Sequence, residues 1–204
     1  DRTRPAGVTF LGDTGLWFVP TAEILPVGEW SASSQKINFD RQEGITDISH
    51  YIATAAYGVS DRIELFSSFR AITRLDRDVR PLFTSSSFGG PAHQFPLVTD
   101  QFTGNQIGDL FFGGKVNLTS EANQSLAALA VRALVKVPTG DENRGTTTGK
   151  ADGMVDVIVS KDLGLVEVSA FAGFAARGEP NGIDLPNSVR WGIGAGTSPS
   201  SSLT

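Results

Sequence analysis

Asp47, Ser49 and His50 carry, within one short stretch, the three group types of a hydrolytic triad: a hydroxyl nucleophile, an imidazole base and a carboxylate to orient it. The stretch alternates as a strand does, so Asp47 and Ser49 share one face and His50 points to the other. A triad from these three is geometrically poor, and strand residues near a rim describe them better. The second histidine, His93, sits in a Gly/Pro-rich stretch with no ligand spacing around it. Asp141-Glu142-Asn143, followed by Gly145 and Asp152, offers hard oxygen ligands to a divalent cation. It lacks the Asp-x-Asp-x-Asp-Gly spacing of a calcium loop, and a solvated turn is the better reading. Gly12-Asp13-Thr14-Gly15 contains the Asp-Thr-Gly of aspartic proteases, but no second such element follows and the composition is that of a common turn. The chain has no cysteine, which removes disulfides, thiolate metal sites and cysteine nucleophiles together. These residues assign no catalytic group, no metal and no cofactor, and the chain is expected not to be an enzyme.

The more informative side chains are charged ones set on strands. Period-two alternation predicts eight strands: Glu29–Phe39, Thr46–Val59, Ile63–Arg74, Gly108–Leu118, Ser125–Val137, Ala151–Lys161, Val166–Arg177 and Ser188–Gly196. In the fifth, Leu129, Val131, Ala133, Val135 and Val137 oppose Arg132 and Lys136. In the sixth, Val155, Val157 and Val159 oppose Asp152 and Asp156. The charges expected to face inward are Glu64, Arg70, Arg74, Asp109, Lys115, Arg132, Lys136, Asp152, Asp156, Glu167, Arg177 and Arg190. Such a set of mixed sign can line a water-filled pore or pair across a filled interior. Two cations on one face of a strand favour a wet lumen over a dry core.

Strand connections alternate in length. Short turns fall around Ser60-Asp61, Thr119–Gln124 and Asp162–Gly164; the others are Asp40–Ile45, Leu75–Ile107, Thr139–Lys150 and Gly178–Asn187. Membrane barrels have that asymmetry, with short turns on the periplasmic side, and it places the N-terminal segment, residues 1–28, there too. Residues 29–204 then form the barrel strands. Leu75–Ile107, with Phe83, Phe88, Phe95 and Phe102 among Gly, Ser and Pro, is too long for an idle hairpin. Of the 204 residues 40% are apolar, and no run approaches the roughly 18 apolar residues of a membrane-crossing helix. If the chain spans a bilayer, it does so as a barrel. The net charge of −5, with no Lys/Arg stripe, argues against nucleic acid. The competing fold is a soluble all-β sandwich or barrel, which also has strands and turns at regular spacing, but strands of ~10 residues or more exceed the usual length. Trp17, Trp30, Tyr51, Tyr57 and Trp191 suit an interfacial girdle.

Thr14-Gly15-Leu16-Trp17-Phe18-Val19-Pro20-Thr21-Ala22-Glu23 and Val27-Gly28-Glu29-Trp30-Ser31 resemble segments of bacterial outer-membrane β-barrel proteins of the OmpA-like class. Tyr57-Gly58-Val59-Ser60-Asp61-Arg62-Ile63-Glu64-Leu65-Phe66 is similar to their recurring hairpin, and Gly113–Leu118 and Arg190–Gly196 read as barrel strands. The resemblance implies an all-β, antiparallel up-and-down transmembrane barrel in the bacterial outer membrane. Its partners would be outer-membrane lipid, small solutes in the lumen, and peptidoglycan through a domain not present here. Asp1-Arg2-Thr3-Arg4-Pro5 lacks a secretory apolar core. Ser200-Ser201-Ser202-Leu203-Thr204 lacks the family's closing aromatic residue, so further strands are expected beyond residue 204. The expected role is a passive pore or structural envelope protein. The alternatives are a surface adhesin or receptor using the long loops, and a secreted β-sandwich ligand binder.

Overall fold

The computed structural model describes residues 7–41, 46–77, 103–180 and 184–197. Where apolar and polar residues alternate, the chain runs as strands: β3 (Trp30–Arg41), β4 (Thr46–Ser60), β5 (Ile63–Arg77), β7 (Leu110–Thr119), β8 (Ala128–Val137), β9 (Asp152–Asp162), β10 (Val166–Ala176) and β11 (Ser188–Thr197). Two short strands, β1 (Gly15–Leu16) and β2 (Val19–Pro20), precede them. A four-residue strand, β6 (Thr103–Gln106), falls in the stretch read from sequence as one long connection. It adds to β5 beyond the point where β7 takes over.

All the long strands belong to one antiparallel sheet, ordered β11-β10-β9-β8-β7-β5-β4-β3. Each pairs with its neighbour in chain order. This is up-and-down connectivity: eight strands curled into a half-barrel, not the two stacked sheets of a sandwich. Among the described residues there is no α-helix, only single 3-10 turns at Glu121–Asn123 and Glu142–Arg144. The short connections are 61–62, 120–127 and 163–165, all at one end of the sheet.

The two faces differ in chemistry. Along β8, Ala128, Ala130, Arg132, Leu134 and Lys136 are buried, while Leu129, Ala133 and Val135 are exposed. The convex face continues as Leu65, Phe112, Val116 and Leu118, then Val155, Val157 and Phe174, then Val189, Trp191 and Ile193, the last three more than 70% exposed. The concave face carries the buried charges and a second layer of chain. Residues 7–28, which the sequence reading sets apart from the strands, lie across this face. Leu11 and Leu25 pack with Ala56, Phe66, Phe111 and Leu134, and Ala22 with Ala128, Ala130 and Ile158. Burying these side chains between segment and sheet replaces the second sheet that a sandwich would supply.

One irregularity changes a face assignment. Opposite Tyr51 and Ile52, β5 supplies Ile72 and Arg70, so Ala71 is the extra residue of a β-bulge. Alternation resumes out of phase: Glu64, Phe66 and Ser68 face inward before the bulge, Thr73 and Leu75 after it. Arg74, expected on the inner face, therefore lies with Ile72 on the convex face. Strict period two holds only while no residue is inserted.

Candidate functional site

The register brings charges from separate strands into one lateral row on the concave face. Glu64 of β5 stands opposite Lys115 of β7, Lys115 opposite Arg132 of β8, and Arg132 opposite Asp156 of β9. Asp156 pairs with Gly173 of β10, and Gly173 with Arg190 of β11. Directly opposed residues on one face are near enough for their side chains to interact. Nε of Arg132 donates to Asp156 Oδ2 at 3.0 Å and its second terminal nitrogen to the same oxygen at 2.6 Å. Lys115 Nζ is 3.3 Å from Glu64 Oε1, and Arg190 lies 3.7 Å from Asp156. Phe171 lies under both guanidiniums, with Arg132 and Arg190 each 5.8 Å from its ring centre.

The N-terminal segment completes this row. Its turn is built by Gly12, whose φ of 102° is the left-handed region that favours glycine, and Thr9 Oγ1 donates to Asp13 Oδ1 at 2.5 Å. The turn aims the fully buried Asp13 carboxylate at Arg132, which donates to its two oxygens at 3.0 and 3.1 Å. Lys115 donates to the carbonyls of Thr14 (2.9 Å) and Thr21 (3.1 Å) and to Thr14 Oγ1. Glu64 accepts from the backbone N–H groups of Thr14 (3.0 Å) and Leu25 (2.9 Å). Ser160 accepts from Ala22 N–H at 3.1 Å, and Ser169 donates to the Pro20 carbonyl at 2.6 Å. Strands thus satisfy backbone groups that the irregular segment would otherwise bury unpaired. Burial alone would raise the Asp13 carboxyl. Arg132 and Lys115, with the hydrogen bonds from Thr9 and Arg132, override that and hold it below its ordinary value.

Beyond the segment, toward the end with the longer connections, the concave face opens into a cavity of about 760 Å³. Phe10 and Leu11 of the segment are among its lining residues, with Thr73, Leu75, Phe111 and Met154 from the strands. Lys136 lies 2.8 Å from Asp152 and 3.8 Å from Asp109. The Arg70 guanidinium sits over the Phe111 ring at 4.9 Å. Thr146 and Thr147, in the connection after β8, are buried against this end.

Of the twelve charges expected inside, Glu64, Lys115, Arg132, Asp156 and Arg190 form the row. Arg70, Asp109, Lys136, Asp152, Arg177 and Arg190 line the cavity. Glu167 shares the concave side with Ser169 near the opposite end, paired with Gly196. Arg74 is the exception, for the reason given above. Asp13, which the sequence offered as an ordinary turn residue, is the segment's own carboxylate in the row, paired with Arg132. Ser49 and His50 do not meet as nucleophile and base: Ser49 donates to Asn38 Oδ1 at 2.6 Å, while His50 Nδ1 lies 3.0 Å from Thr73 Oγ1 on the other face. Asp141 caps the 3-10 turn Glu142–Arg144 by accepting from Asn143 N–H at 2.9 Å. Among the described residues no cluster of His, Asp and Glu is placed to hold a metal ion. His93 and Phe83, Phe88, Phe95 and Phe102 lie outside the described residues. Trp30 and Tyr57 face each other across β3 and β4 on the convex side, where Tyr51 and Trp191 also project, while Trp17 is exposed on the N-terminal segment.

A family model described as "Putative MetA-pathway of phenol degradation" matches residues 80–198, more than half of the chain. The match covers β6 to β11, and with them Lys115, Arg132, Asp156 and Arg190; residues 7–28 and Glu64 lie outside it. No curated protein and no solved structure matches the chain. Nothing in these comparisons bears on the OmpA-like class in particular.

Proposed function

The chain belongs to the family described as "Putative MetA-pathway of phenol degradation", and on that premise we propose that it is an outer-membrane barrel protein that admits small solutes, with no catalytic step of its own. The observation that carries this reading is the contrast between the two faces of one sheet. The convex side shows Trp191, Val189, Ile193, Val157 and Phe112 to the surroundings, and large apolar side chains gathered on one exposed face mark a surface that meets a partner or a membrane. The concave side holds ion pairs and a cavity. An apolar outside with a polar inside is the pattern of a membrane barrel and the inverse of a soluble one. In this reading the concave face is a lumen, and residues 7–28 partly fill it, so solute traffic depends on how firmly that segment is held.

The family's description directs the first assays to phenol and the products of its breakdown. Fractionated cells should yield the protein in the outer membrane, with a gel mobility that changes on boiling. Liposomes carrying it should take up phenolic solutes faster than empty ones, and faster still when residues 7–28 are deleted. A detergent-independent, water-soluble protein with a fixed mobility would overturn the membrane reading. A membrane-inserted protein that leaves uptake unchanged in both forms would leave only a structural envelope role.

A further inference from the structure

We propose that the cavity above the N-terminal segment is a binding site for small organic anions with an apolar ring-sized body, and that Arg70 and Arg177 are the groups that recognise the anionic end. The proposal deepens the solute-passage reading by naming the solute's charge and shape. It begins from an imbalance. The chain carries a net charge of −5, yet among the described residues the cavity is lined by four cationic side chains, Arg70, Lys136, Arg177 and Arg190, against the two carboxylates Asp109 and Asp152. Both carboxylates are engaged by Lys136, at 3.8 and 2.8 Å, and Arg190 leans on Asp156 at 3.7 Å. Among the described residues Arg70 and Arg177 have no carboxylate within 4.0 Å.

The carboxylate whose charge acts on Arg70, Asp109, is shared with Lys136. An arginine with no carboxylate in ion-pair contact beside a cavity is suited to a planar anion, because its fork of donors matches a carboxylate with two parallel hydrogen bonds. Arg70 is also held in place, its guanidinium lying 4.9 Å over the Phe111 ring. The walls supply the apolar half of the ligand's chemistry: Leu11, Leu75, Phe111, Met154 and Leu185. Phe111 lies beneath the Arg70 guanidinium, and Met154, whose sulfur accepts from Arg190 at 2.7 Å, has a flexible side chain that packs against rings of different outline. A cavity of about 760 Å³ is within the range that encloses most of a ligand larger than a single ring. An inorganic anion would leave these walls wet, and a neutral ring would leave the arginines unused. A carboxylate on an apolar body uses both.

Three probes with one ring and different charge separate these cases: benzoate, benzyl alcohol and benzylammonium. Calorimetric titration of the detergent-folded protein should give benzoate as the tightest ligand, by about tenfold over benzyl alcohol, as a charge-assisted pair implies. Benzylammonium should bind weakest. Arg70→Gln should lower benzoate affinity by about tenfold and leave benzyl alcohol unchanged, with the heat-dependent gel shift reporting that the variant folds. Arg177→Gln, at an exposed position, gives the same test without risk to the core. Benzoate binding no tighter than benzyl alcohol, or unchanged in both variants, would overturn the proposal. If benzoate binds in this pattern but liposomes carrying the protein take up no solute, the site stands and the passage reading fails. Uptake that ignores probe charge would instead keep passage and remove the site.

Discussion

Asp13, Glu64 and Asp156 face Lys115, Arg132 and Arg190 in a row that is neutral as a whole, and its stability depends on every member keeping a partner. Arg132 is central, since it holds Asp13 of the N-terminal segment and Asp156 of β9 together. Replacing it with methionine leaves Asp13 and Asp156 buried with their principal cation gone, which should cost about 3–5 kcal/mol. Urea titration in lipid vesicles, followed by the gel shift, measures that loss. Asp13→Asn is the milder change, because it weakens the segment's tie to Arg132 while Arg132 keeps Asp156. The chain has no cysteine of its own, so a thiol introduced by Thr21→Cys reports access to the buried segment. It should label slowly in the parent and rapidly with Asp13→Asn added. Acid should act in the same direction. A carboxyl held below its ordinary value of 3.8 contributes its full stabilisation above that value and loses it as pH falls through the folded one. Labelling of the Thr21→Cys variant should therefore stay slow through mildly acidic pH and accelerate only below about pH 4. Five of the six members of this row were legible in the sequence. Alternation put Glu64, Lys115, Arg132, Asp156 and Arg190 on inward faces, but the partner from the N-terminal turn was not legible. Asp13 is 119 positions from Arg132, and its Asp-Thr-Gly context is that of any turn.

At the scale of elements, what holds the sheet is the alternation itself, and what the sequence hid is where alternation breaks. The strands were readable to within a few residues because β-branched and small residues repeat at every second place, as in β8 and β9. The bulge at Ala71 has no such signature, and it moved Arg74 to the face opposite the one its spacing implies. The strand Thr103–Gln106 was also invisible, since Thr-Gly-Asn-Gln reads as a turn and is extended only because β5 offers it an unpaired edge. Register is the other hidden quantity. The lateral row exists because the five strands carrying its charges align at one level, which no single strand's pattern specifies. Val157 tests the reading of the convex face. It is 57% exposed and lies between Val131 and Ala172 on neighbouring strands. In a bilayer Val157→Arg should destabilise the fold by about 2–4 kcal/mol if it lies near the midplane. On a soluble protein the same exposed substitution would be nearly neutral. Reversible unfolding of the parent and the variant in the same vesicles decides between them.

Over the whole molecule, one curled sheet meets two environments, and the N-terminal segment makes the inner one a filled space with a cavity at one end. The outer environment proposed above is lipid. Spin labels placed one at a time from Leu129 to Lys136 along β8 test it most directly, in vesicles probed with oxygen, which partitions into lipid, and with a water-soluble nickel complex. Lipid on the convex side predicts an alternation of period two. Positions 129, 131, 133 and 135 should be open to oxygen and closed to nickel, and positions 130, 132, 134 and 136 should be shielded from lipid. Nickel access at the odd positions equal to that of an exposed loop would contradict it, because the convex face would then be in water and the sheet would belong to a soluble fold.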